Sequence, residues 1–388
     1  MNRETAVSDV LRRRTPGFPH TLRELLRTAN SKTVRLILAA VLIVWAPAAL
    51  LSALRGTEYL KSFLFDFAAQ SRFLIVIPLL ILAEQPLIAW LDSIAGHFLE
   101  AHLINENDDQ CFMAAMRSFH RLSSSRMSRL VIIFLVYALA IAALPYIETG
   151  SLLAWCYYAG ESGRPSFAGY WYMLVGLPLV CFLLSRWIWR QILWARLLHR
   201  ISRLNLQLVP SHPDLAGGIS FVGYCLWGYL PFGFVMGTLG AGGVANRVVH
   251  RHQPLTSFEF LPLFVIAIVL IVCVGPLVVF FDTLLKARRK GIFQYGALAT
   301  TMGLQFEKKW LVADRNNKVA DEALEVPDFS ATADLYSLTA NIYRLNLFPW
   351  DIRGLSRLVL SALVPGIPVL FAAIPFDTIL ENLIKLVL

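Results

Sequence analysis

Seven stretches of the chain, residues 36–54, 73–91, 130–147, 170–189, 219–244, 260–281 and 358–376, are apolar over a length that suits a lipid hydrocarbon layer. A helical crossing takes about 20 largely apolar residues. The backbone in such stretches has to be helical, because lipid offers no partner to a free N–H or C=O. An outer-membrane barrel would instead show repeated apolar/polar alternation, which no segment does. Composition agrees: 57% of the 388 residues are apolar and 16% are charged, against roughly 45–50% and about 25% in soluble domains. That balance excludes a soluble enzyme, a disordered chain and a secreted disulfide scaffold. The five cysteines are far apart with no C-x-x-C, so neither a zinc ribbon nor a dithiol redox site is expected, and no cofactor is. The expected fold class is all-α: a polytopic membrane helix bundle of about seven transmembrane helices, with amphipathic surface helices.

Lys and Arg set the expected orientation. Eight precede the first span, four follow the second, five follow the fourth (Arg186 at its end included) and ten follow the sixth. The opposite side has 7 against these 27. By the positive-inside rule the N-terminus is cytoplasmic and, with seven crossings, the C-terminus is outside. The net charge of +9 then belongs to the cytoplasmic face, where anionic lipids are the expected partners and nucleic acid is not. The first apolar run starts after 35 residues and is expected to be a retained signal anchor.

The chain divides into four regions. Residues 1–35 form a basic cytoplasmic segment in which Thr21 and Glu24 suggest a capped amphipathic helix. Residues 36–285 hold six spans, and 286–354 form a cytoplasmic helical region in which Gly291 to Trp310 continues the sixth. Residues 355–388 hold the last span and, after Pro375, a short interfacial helix capped by Asp377.

Among candidate site residues, Glu84 in the second span is foremost, followed by Gln85. A carboxylate at that depth costs roughly 2.5–3.5 kcal/mol on insertion scales and should face the bundle interior or a water-filled cavity. No Lys or Arg is expected mid-span to pair with it. The second and sixth spans share a pattern, Pro78-Leu-Leu with Glu84 six residues on and Pro276-Leu-Val with Asp282 six on; the fourth has Pro178-Leu-Val but Leu184 at the acidic position, so the parallel repeat is faint. Pro47, Pro78, Pro86, Pro178, Pro231, Pro276, Pro365 and Pro368 interrupt spans; such breaks are either ordinary kinks or openings that expose carbonyls to a solute. Gly233 and Gly237, extended by Ala241, form a face for close helix packing, within the bundle or between subunits of a homo-oligomer. In LVPSHPDLAGG (208–218), Asp214 or Ser211 can cap the next helix, and His212 is a titratable neighbour. Neither H-E-x-x-H nor G-x-S-x-G occurs, so no catalytic residue or metal site is assigned.

The strings PLLILAE (78–84), LVPSHPDLAGG (208–218), YGALA…FEKKW (295–310) and DFSATADL (328–335) together resemble a family of uncharacterised bacterial inner-membrane proteins. In that family the last string usually reads D-x-x-S-x-A-D-L; here Ala331 stands at the Ser position. The resemblance implies a multi-pass location in the bacterial inner membrane and no activity. The functional expectation is a channel or transporter for a proton, a cation or a small solute. The alternative is a non-transporting signalling, assembly or defence component acting through its cytoplasmic face.

Overall fold

A computed structural model describes residues 30–143, 154–158, 164–310 and 328–373. The expected N-terminal surface helix, the polar stretch over 314–327 and the C-terminal helix lie outside the described residues. Within them every regular element is helical, apart from two isolated bridges. Five helices are long and apolar enough to cross a membrane: α1 (Ser31–Arg55), α3 (Phe67–Glu100), α6 (Phe167–Ser202), α9 (Leu255–Lys308) and α11 (Ile352–Ala372). Two bent pairs raise the count to seven if each is one span: α4 (Glu106–Ser123) with α5 (Arg126–Ala143) at 49°, and α7 (Ser220–Gly228) with α8 (Leu230–Arg251) at 43°. The short α2 (Thr57–Leu64) links α1 to α3, and α10 (Asp328–Tyr343) packs along the outgoing part of α9. The described residues are thus all-helical, and their apolar helices are those of a multi-pass membrane protein. Large side chains such as Leu42, Leu50, Phe134, Leu139, Phe260 and Phe264 stand exposed on α1, α5 and α9, as a lipid-facing surface requires.

The second and fourth spans are longer than their apolar runs, 34 and 36 residues, or about 51 and 54 Å of helix. Both start from a cap placed before the apolar run. Asp66 and Ser166, in extended or near-extended backbone, accept the N–H of Ala69 and Gly169. From these caps the two helices repeat one construction. One α-helical turn (Phe67–Ser71, Phe167–Trp171) leads into a five-residue π-segment (Arg72–Val76, Tyr172–Gly176), and α-helix resumes with proline as its second residue, Pro78 or Pro178. Equivalent residues are 100 positions apart, and the pair Arg72 and Tyr172 are in hydrogen-bond contact. Gly176 lets Phe73 in: a Cβ there would lie 2.9 Å from the Phe73 ring. Contacts further along, Trp187 with Leu80 and Arg190 with Glu84, advance in step, so α3 and α6 run parallel with their prolines level. The sixth span does not share this geometry. Around Pro276 it tightens to a 3₁₀ segment (Gly275–Phe280), so the three-fold repeat expected from P-L-[LV] holds locally for two members only.

Proline inside a helix deprives the carbonyl four residues back of its donor, and in a membrane interior that oxygen needs another. Three such oxygens find one on a neighbouring helix. Trp171 Nε1 donates to Ile43 O, four before Pro47, at 3.0 Å. Tyr137 Oη donates to Leu174 O, four before Pro178, at 3.1 Å. Gln191 Nε2 donates to Val272 O, four before Pro276, at 2.8 Å. The prolines therefore act as joints that fasten helices to each other. Trp171→Phe is expected to lower stability in detergent by about 0.5–2 kcal/mol. Pro47→Ala, which returns an N–H to Ile43 O, should remove most of that loss in the double variant. Simply additive losses in the thermal-unfolding cycle would contradict the joint.

Candidate functional site

The α3 helix breaks at Ala83, between Ile77–Leu82 and Glu84–Glu100, and Glu84 opens the second piece. Glu84 is buried, and its Oε1 accepts from both Arg186 Nη2 and Arg190 Nη2 of α6. Between the arginines, Trp187 Nε1 donates to Leu80 O at 3.1 Å, which holds the two helices at this level. The sequence expectation of a mid-span carboxylate without a countercharge is corrected here: Glu84 has two cations on one oxygen. The reason is register. Glu84 lies six residues after Pro78, while Arg186 and Arg190 lie eight and twelve after Pro178. With the prolines level, the arginines start only about 3 and 9 Å further along. Helical side chains lean toward the N-terminus, so long guanidinium stems climb back to the carboxylate. Arg186, a flanking cytoplasmic charge by sequence alone, therefore reaches into the bundle.

Two cations against one carboxylate leave the cluster with a surplus positive charge. Arg190 is only 6% exposed, and its Nη1 has no hydrogen-bond partner among the described residues. Tyr229, at the bend between α7 and α8, is close enough to Arg190 to interact with it electrostatically. The Tyr229 hydroxyl is likewise buried without a partner among the described residues, as is Gln191 Oε1. Cys225 and Cys273, both fully buried, lie close to Tyr229, and the fully buried Trp194 lies beside Cys225.

The remaining candidates lie elsewhere. Gln85 is exposed. Asp282 is exposed at the start of the outgoing part of α9, paired with Lys286 at 2.7 Å. Gly233 and Gly237 face α11, where a Cβ would strike Ser361 Oγ and the Ala362 carbonyl. Ala241, with Gly237, borders a 530 Å³ apolar cavity between α8, α9 and α11. The glycine face thus packs within the chain. His212 and Asp214 do meet, with His212 Nδ1 2.8 Å from Asp214 Oδ1. Asp214 also gathers the N–H groups of Ala216, Gly218 and Ser220 at 2.9–3.0 Å, tying the turn to the start of α7. A 590 Å³ cavity beside it is lined by the 346–355 segment, where Asn346 N donates to Leu215 O.

Sequence reasoning missed Arg186, Arg190 and Asp66. The signal for the first two was an i,i+4 arginine pair at the end of an apolar run whose proline sits one repeat away from Pro78. Asp66 is 4% exposed at the opposite end of the bundle and accepts from Ala69 N, Asn246 Nδ2 and Trp155 Nε1 at 2.8–2.9 Å. By sequence it is an ordinary loop aspartate.

Burial alone would push the Asp214 carboxyl up, but the N–H groups of Ala216, Ser220 and Gly218 and the His212 ring together hold it below its ordinary value of 3.8. A depressed folded value means that the stabilisation is complete above 3.8 and is lost as pH falls through the folded value. Asp214→Asn is therefore expected to cost about 1–2 kcal/mol at pH 7. The gap from the parent protein should close as detergent melts are repeated toward pH 3, and a gap independent of pH would contradict this role.

No family model, curated protein or solved structure matches the chain. Function therefore has to be argued from the site.

Proposed function

We propose that the chain is a multi-pass protein of the bacterial inner membrane, with its N-terminus cytoplasmic, that binds and passes a small solute at the Glu84–Arg186–Arg190 cluster. The observation that carries this reading is a buried ion cluster with surplus positive charge at a helix break. Charged groups at such depth are costly, so a bundle that keeps three of them is more readily explained by a polar path than by packing. The sign of the surplus favours an anion over the proton or cation that an unpaired carboxylate would have suggested. The turn at Ala83 in α3 and the 3₁₀ segment Gly275–Phe280 in α9 resemble the discontinuous helices through which transporters present polar backbone to a solute.

The test is anion flux through the protein reconstituted in liposomes, with chloride and acetate as probes. Arg190→Gln should reduce flux at least tenfold, and Arg190→Lys, which keeps the charge and controls for folding, should retain part of it. A folded parent protein that passes neither anion ends the reading.

A second reading is a non-transporting signalling, assembly or defence component. It is favoured by the α9–α10 hairpin, which leaves Phe293, Leu304 and Tyr336 exposed beyond the apolar run of the span. Phe293→Asp that abolishes the cellular phenotype at unchanged flux would support it over transport.

A further inference from the structure

At the end of α6 and the outgoing part of α9 lies a cavity of 690 Å³, within the size range of small-molecule sites. It is separate from the Glu84 cluster. His199 and Arg203 stand on the α6 side; Asp282, Thr283, Lys286 and Lys290 stand on the α9 side. The end of α6 and the middle of α9, distant in the sequence, build this wall, joined where Thr283 Oγ1 donates to Ser202 O at 3.3 Å. Three Lys or Arg side chains face one carboxylate, and Asp282 is already engaged by Lys286 at 2.7 Å. The C-terminus of α6 adds a negative partial charge of about half a unit, which leaves the surplus clearly positive. Hydroxyl and amide donors complete the lining.

We propose that this cavity binds a phosphate group. The chemistry fits: mobile ammonium groups and a planar guanidinium converge on one volume, with a hydroxyl among them. The location fits two sources of that group. Asp282 comes directly after the apolar run 260–281, so the cavity opens at the edge of the hydrocarbon layer, where lipid phosphates lie. Lys290 is eight residues further along the helix, about 12 Å, within reach of a soluble phosphate.

The experiment is a thermal-shift titration of the full chain. Inorganic pyrophosphate is added in detergent, and dioleoyl phosphatidic acid is compared with phosphatidylcholine in nanodiscs. The parent protein is set against the double variant Arg203→Gln, Lys290→Gln and against Arg117→Gln, Arg121→Gln, which removes two exposed charges from α4. Saturable stabilisation by pyrophosphate that weakens at least tenfold in the cavity variant, and not in the α4 variant, supports a soluble ligand. Stabilisation by phosphatidic acid alone, with the same dependence, supports a lipid headgroup. No stabilisation by either probe, or equal weakening in both variants, overturns the proposal. Because the altered side chains are exposed, the melting points without ligand are expected to stay together and to report any loss of fold.

Discussion

A carbonyl oxygen deprived of its helical donor inside a hydrocarbon layer has to be satisfied by a neighbour. Much of this bundle is arranged around that obligation. Pro47, Pro178 and Pro276 each release one oxygen, and Trp171, Tyr137 and Gln191 each meet it from another helix. In water such a contact competes with solvent and is worth little. Here the alternative is an unpaired polar atom, so the proline positions prescribe which helix faces which, and at what height. Packing then fills in around them, with small residues where neighbours come closest, as at Gly176 against the Phe73 ring and Gly237 against the Ala362 backbone.

Height is also what creates the charged cluster. Two helices with the same sequence of cap, turn, π-segment and proline lie parallel, and residues at neighbouring distances from the proline come to the same level. Glu84 on one and the arginine pair on the other meet for that reason. The outgoing part of α9 lacks the construction, and its acidic residue at the corresponding distance, Asp282, ends in solvent beside Lys286.

The helical bundle was legible because lipid imposes both the length and the apolarity of a span, and these are properties of the chain read locally. The same is true of the glycine face of α8 and of Asp214, whose His-Pro-Asp setting marks a turn in need of a collector for backbone N–H groups. The partners were not legible. Arg186 reads as a flanking charge until α3 and α6 are set in register. Nothing local to Trp171 or Gln191 says that a proline more than eighty residues away has left an oxygen for it. Asp66 looks like a loop residue until Trp155 and Asn246 arrive from two other parts of the fold. Each miss concerns a non-local pairing, and the one signal available beforehand was the spacing of the prolines.

One helix collects most of these pairings. Along α6, Trp171 grips α1, Leu174 receives α5, Trp187 and the two arginines hold α3, and Gln191 holds α9. To slide or turn α6 by even a few ångströms would strip donors from three helices at once. Any working cycle of this protein must therefore either keep α6 as a fixed mast about which the other helices shift, or move it in a single cooperative step with no stable halfway position.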